Sequence, residues 1–475
     1  GLSVDLGAAN DSVTLANGTN SLTVTSVETV TGGTGNDTIT IAAGSTTTVS
    51  GGTGTADSVI LAGAATLILG DTGVETVTGS SGNDTITGSV GGSDNIVGGA
   101  GNDIFKFAGG DLSAADTLVG GDGTDTVEIT TDAGNTVMTN VSGVETVLFS
   151  SAETARTITL SSGVTSITES GGGIQTITLG AAVTGLSVDL GAANDSVTLA
   201  NGTNSLTVTS VETVTGGTGN DTITYAIGTS SGTIDGGAGT DTIVLQSGSN
   251  TLGNVQGIES ITGGTGIDTI TFGAAVTATT MSGGGGADVV TLGNFANTGF
   301  TFDLGTGTVS VNGVAGNDKV TVTGTGSATF ASGTGNDNLT GGSGNDTFKF
   351  AGGALDANDT IVGGDGTDTV EITTDAGNTV MTNVSGVETV LFSSAETART
   401  ITLSSGVTSI TESGGGIQTI TLGAAVTGLS VDLGAANDSV TLANGTNSIT
   451  LTNVETVTGG NVVDTITVTT ATRII

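Results

Sequence analysis

Residues 332–349 read Ser-Gly-Thr-Gly-Asn-Asp-Asn-Leu-Thr and then, without a break, Gly-Gly-Ser-Gly-Asn-Asp-Thr-Phe-Lys. Each nine-residue unit opens on a glycine-rich turn, closes it with Asn-Asp, and runs into a triplet whose middle residue alone is apolar (Leu339, Phe348). Glycine takes positive φ at no steric cost, and Asn and Asp tolerate it, so six residues suffice for a tight turn. The triplet is a short strand, sending one side chain to one face and its neighbours to the other. Turn and strand in alternation wind the chain into coils. Each coil hydrogen-bonds to the coils above and below, with Ile, Val, Leu and Phe stacked inside. The predicted fold is all-β, a right-handed parallel β-solenoid (β-roll or β-helix). The spacing from Gly32 to Gly51 sets the coil at about 19 residues.

The unit recurs throughout the chain. The pattern G-G-x-G-x-D occurs nine times, ending on Asp37, Asp103, Asp125, Asp221, Asp241, Asp268, Asp288, Asp346 and Asp368. Looser copies end on Asp84, Asp318 and Asp337, and decayed Leu-Gly-Ala-Ala-Asn-Asp versions end on Asp11, Asp195 and Asp438. Longer identities overlie this period. Val119–Ser205 is repeated without change as Val362–Ser448, and Gly1–Thr40 as Gly185–Thr224. The predicted divisions are solenoid repeats over 1–118, a duplicated block at 119–205, nonapeptide-bearing repeats at 206–361, the second block at 362–448, and a terminal coil at 449–475. With the same unit at both ends, and Gly1 rather than Met in front, the chain is expected to be a section of a longer array.

Composition removes whole classes of function. The chain has 475 residues without His, Cys, Pro or Trp, so Ser-His-Asp triads, thiol nucleophiles and the usual zinc sites are excluded. Six basic residues against 45 acidic ones give a net charge of −39. Lys106, Lys319, Lys349, Arg156, Arg399 and Arg473 cannot build a groove that tracks phosphates, so nucleic acid is not an expected partner. No apolar run is long enough for a membrane span. A mean hydropathy of +0.27 and regular strand-like stretches argue against a disordered polyelectrolyte.

Stacking places the turn aspartates in a column at strand spacing, where like charges repel. A hard divalent cation between coils relieves this, taking carboxylate and glycine carbonyl oxygens, and calcium accepts such flexible oxygen sets where magnesium resists dehydration. Alternatively, Gly-Asn-Asp is only a good turn. At this point the units resemble the calcium-binding nonapeptide GGxGxDxUx of RTX proteins. They are also similar to alphaproteobacterial surface-layer proteins of the RTX type, down to the Val-Glu-Thr-Val marker at 27, 74, 144, 211, 387 and 454. The resemblance implies export, folding on several Ca2+ ions, and ligation by Asp37, Asp84, Asp103, Asp125, Asp221, Asp241, Asp268, Asp288, Asp318, Asp337, Asp346 and Asp368. The chain departs from the pattern in lacking long uninterrupted nonapeptide runs, and Gly459–Asp464 has lost its fourth-position glycine.

The marker glutamates Glu28, Glu75, Glu145, Glu212, Glu388 and Glu455 are expected to form a solvated or inter-coil polar row rather than catalytic acids, since no aromatic platform accompanies them. Phe105, Phe107, Phe348 and Phe350 are expected in the core. Threonine ranks such as Thr38/Thr40 could face ice or polysaccharide, but Thr is also the ordinary surface residue of a strand. The expected function is that of a non-enzymatic extracellular or cell-surface structural protein, folding with calcium and assembling with copies of itself into a layer or fibre. The alternatives are the stalk of a calcium-dependent adhesin, with cell-surface polysaccharide as partner, or the RTX tail of a secreted toxin or exoenzyme.

Overall fold

The computed structural model describes the chain except residues 132–134, 152–155, 162, 227–228, 231, 294–296, 298, 314, 375–376, 395–398 and 470–475. Arg473, the side chains of Arg156 and Arg399, and the end of the predicted terminal coil lie outside the described residues.

The triplets after the turn aspartates are strands: Thr38–Ile41 after Asp37, Thr85–Thr87 after Asp84, Thr222–Tyr225 after Asp221, Thr347–Phe350 after Asp346. Their alternation decides which side chains go inward. Thr38–Ile41 buries Ile39 and Ile41 and leaves both threonines half-exposed. Successive coils pair in parallel, as in Ser21–Thr25 on Thr38–Ile41 and Thr38–Ile41 on Ser58–Leu61. The step between coils varies from 17 residues (Asn20 to Asp37) to 23 (Phe107 to Thr130), on either side of the predicted value. Among the described residues there is no helix, and so none long and apolar enough to cross a membrane.

Two compact units divide the chain, Gly1–Ala226 with Gly236–Gly239, and Ile227–Asp235 with Thr240–Ile475. Each is a parallel β-solenoid. In the first, one side of the coils forms an eight-stranded sheet from Leu2–Asp5 to Val141–Ser142. Parallel register stacks like on like: Leu22, Ile39, Val59, Val77, Ile96 and Leu118 follow one another, none more than 3 % exposed. Burial of each such side chain contributes roughly 2 kcal/mol before entropy is counted. In the second unit the rings of Phe330 and Phe348 stack with centroids 4.7 Å apart. Phe105, Phe107, Phe348 and Phe350 are all core residues.

The duplicated block carries a change of sheet. At Thr136–Val137 a new sheet starts, while the eight-stranded sheet ends at Val141–Ser142. Leu112 and Met138, both buried, fill the core where the longer coils make room for this corner. In the second unit the same exchange recurs at Thr379–Val380 and Val384–Ser385, with Leu355 and Met381 buried. Identical sequence gives an identical exchange.

Candidate metal-binding columns

The turn aspartate sits one residue before the main-chain ladder begins. Thr38 donates its N–H to the carbonyl of Asn20, but the N–H of Asp37 has already left the ladder. A carboxylate from the next coil accepts it instead: Asp37 N–H donates to Asp57 Oδ1 at 2.6 Å. This arrangement repeats coil after coil. Ala65, Asp84 and Asp103 donate to Asp84, Asp103 and Asp125 respectively, at 2.7–2.8 Å. In the second unit Asp318 and Asp337 donate to Asp337 and Asp359, and Ala328 and Asp346 to Asp346 and Asp368. Asp268 donates to Asp288 Oδ1 at 3.0 Å. The predicted column of aspartates is thus present, and it is strung on backbone N–H groups.

All twelve predicted aspartates are buried, none more than 3 % exposed. They differ in what the second carboxylate oxygen meets. In Asp37, Asp268 and Asp346, Oδ2 turns back to the N–H of the second turn glycine, at 2.9–3.3 Å. Ser80 supplies N–H and hydroxyl to Asp84, and the Ser332 hydroxyl donates to Asp337. Asp221 and Asp318 are held by Asn204 and Asn297, and Asp241 gives its N–H to Glu259. In Asp103, Asp125 and Asp368, Oδ2 is buried with no hydrogen bond.

These orphaned oxygens have oxygen neighbours. A Cβ placed on Gly120 would sit 2.5 Å from Asp125 Oδ2 and collide with the carbonyl oxygen of Gly143 in the next coil. On Gly98 it would lie 2.5 Å from the Gly120 carbonyl oxygen and against Asp103 Oδ2. Only glycine lets carboxylate and carbonyl approach so closely. Burial pushes the carboxyls of Asp103, Asp288 and Asp368 up to about 6, and neighbouring carboxylates of the column add to the effect. Stranding such an oxygen costs about 1–3 kcal/mol, more for a charged group. A hard cation removes that cost, so this donor set fits calcium. Among the described residues no three acidic side chains converge as a metal cluster, so such an ion draws on main-chain carbonyls as well.

The sequence motif missed part of the column. Asp57, Asp116, Asp195, Asp359 and Asp438 are also buried and accept the same kind of inter-coil N–H bond, while buried Asp94 donates its N–H to Asp116 and accepts from Ser89 of its own turn. For Asp116 and Asp359 the nearer turn also donates, from Ser113 and Asp356. What they share with the predicted set, Asp103 and Asp288 excepted, is not the glycines but the downstream reading Asp, polar, apolar, as in Asp57-Ser-Val and Asp116-Thr-Leu. Elsewhere an amide stands in: Val183 N–H donates to Asn204 Oδ1, and Val426 N–H to Asn447 Oδ1. The marker glutamates end the columns as an inter-coil row. Glu75, Glu145, Glu212, Glu388 and Glu455 each accept, through Oε2, the N–H of an aspartate one coil earlier at 2.6–2.9 Å.

The profile of the RTX calcium-binding nonapeptide repeat (4 copies) matches residues 25–40, 69–105, 91–111, 112–128, 209–224, 233–252, 322–354 and 354–371, together about a third of the chain. Nine of the twelve predicted aspartates lie within these segments, and Asp268, Asp288 and Asp318 lie outside them. Asp116 and Asp359, which the motif missed, fall inside. No curated protein matches the chain.

Proposed function

Because the chain is an RTX-type repeat protein whose repeats bind several Ca2+ ions, we propose that it is an extracellular structural protein that folds with calcium and assembles with copies of itself into a surface layer or fibre. The role involves no catalysis. One observation carries this reading: the carboxylate columns run from coil to coil, on a chain whose net charge is −39. Without bound cations the columns strain the solenoid, and copies so strongly charged repel one another. Calcium neutralises both, so folding and assembly share one trigger. The Asp Oδ2 atoms and turn carbonyls would hold the ions, and the metal would supply charge neutralisation and an oxygen-bridged link between coils.

A second reading, the stalk of a calcium-dependent adhesin, draws on a different feature. Thr329, Thr347, Thr369, Thr389, Ser409, Ser430, Thr450 and Thr467 stand in register on outward positions of one sheet, a rank of hydroxyls suited to polysaccharide. Calcium titration of the chelator-treated chain, followed by circular dichroism and negative-stain microscopy, separates the readings. β-Signal together with lattices or filaments on adding calcium supports assembly. Calcium-induced β-signal with dispersed particles that bind polysaccharide favours the stalk. A chain folded and assembled in chelator defeats both.

A further inference from the structure

The marker glutamates do more than close the columns. We propose that Glu75, Glu145, Glu212, Glu388 and Glu455 each pair with the buried aspartate of the preceding coil to form a second class of cation site, one that does not need the glycine nonapeptide. The inference rests on the calcium reading above and adds ligands to it.

Its basis is a correlation between two independent features. Asp57, Asp125, Asp195, Asp368 and Asp438 each donate their backbone N–H to a marker glutamate, and each is at most 2 % exposed. In all five, Oδ2 is buried without a hydrogen bond. Among aspartates whose N–H groups go to another aspartate, Asp37, Asp84, Asp268, Asp337 and Asp346 have Oδ2 satisfied within the turn, and Asp103 is the exception, with Oδ2 orphaned although its N–H goes to Asp125. The glutamate therefore arrives where a carboxylate oxygen lacks a partner. Around Gly120 the set is explicit. Asp125 Oδ2 and the carbonyl of Gly143 both press on it, and Gly143 lies two residues before Glu145, whose carboxylate holds the Asp125 N–H. Gly363, Asp368, Gly386 and Glu388 repeat the set in the second unit.

A buried aspartate carboxylate and a half-buried glutamate carboxylate side by side with no cation between them repel. The basic groups in described ion pairs, Lys106 and Lys349, are engaged with Glu128 and Glu371. Two carboxylates and a main-chain carbonyl are ligands for a hard divalent ion with room for further oxygens, which is the chemistry of calcium. Asp57–Glu75, Asp195–Glu212 and Asp438–Glu455 occur where the strict G-G-x-G-x-D motif is missing, so the pairing extends cation binding into coils the motif leaves out.

Glutamine keeps the acceptor for the aspartate N–H and removes only the charge. The test is Glu75→Gln with Glu455→Gln in the full chain, with bound calcium counted by equilibrium dialysis at saturating Ca2+ and the fold checked by circular dichroism. The expected result is a loss of about one ion per glutamate replaced, with the β-signal retained. An unchanged count in a parent that does bind calcium overturns this inference and leaves the nonapeptide sites standing. A parent that binds none overturns both. Should the double variant fold poorly, Glu75→Gln alone must still lose one ion.

Discussion

Asp103 donates its backbone N–H to Asp125 Oδ1 across one coil at 2.7 Å, so a side chain takes over where the main-chain ladder stops. The bond requires an oxygen but no charge, and the chain itself uses asparagine for it at Asn204 and Asn447. Asp125→Asn should keep the bond, raise the melting temperature of the chelated chain, and shrink the further rise that calcium produces. Asp125→Ala should strand the Asp103 N–H and cost about 1–3 kcal/mol in chelator. Thermal unfolding with and without calcium reads both. Equal behaviour of the two variants would contradict this assignment.

Burial, reinforced by neighbouring carboxylates, holds Asp103, Asp195, Asp288, Asp368 and Asp438 at about 6. A folded-state value above the ordinary carboxylate value of 3.8 favours the fold fully below that ordinary value. The contribution is lost as pH rises through about 6. The chelated chain should therefore melt at a higher temperature near pH 4 than near pH 7, roughly the reverse of ordinary acid denaturation. Calcium should restore stability at the higher pH and act weakly at the lower, where its ligands are protonated. A pH series of melting curves in chelator and in calcium checks the sign.

Gly120 and Gly285 make a matched comparison. A methyl on Gly120 collides with the Gly143 carbonyl of the next coil, whereas one on Gly285 meets nothing within 4 Å. Gly120→Ala should force two coils apart and lower stability by more than about 2 kcal/mol. Gly285→Ala should be neutral within about 0.5 kcal/mol. Urea titration of both variants in calcium gives the comparison.

Phe348 stacks on Phe330 and is fully buried. Phe348→Ala removes a ring from a one-dimensional stack and should cost about 3–5 kcal/mol. The loss should be local, since each coil depends on its neighbours. Hydrogen exchange should accelerate in Ser327–Ala331 and Thr347–Phe350 well before it does in Ser448–Thr452. Uniform acceleration along the chain would contradict a coil-by-coil architecture.

Alternation carries most of the fold in the sequence. Thr-Ile-Thr after a turn aspartate can bury only its isoleucine, and Ile39, Ile86, Ile223 and Ile270 are all core residues. The turn aspartates are equally readable, because glycine marks the place where coils touch. Asp57 and Asp94 escape the motif since their inter-coil bond depends on position at a strand start, and any turn that delivers Asp there will serve. The partnership of Glu75 with Asp57 is also hidden, because it joins residues 18 apart and depends on a coil length that varies. The exchange of sheets at Thr136 follows from where Leu112 and Met138 pack, a three-dimensional fit that no local pattern encodes.

The duplicated block begins and ends inside ladder strands, with Val119 in Thr117–Asp122 and Ser205 in Ser205–Thr209, and it contains its own exchange of sheets. Its copy enters within Thr360–Val362 and leaves within Ser448–Thr452 at the same points of the coil. Unequal crossing-over between two such copies would splice one strand onto its own equivalent, so inheritance can lengthen or shorten this protein by whole coils while every hydrogen-bonded neighbour keeps its register.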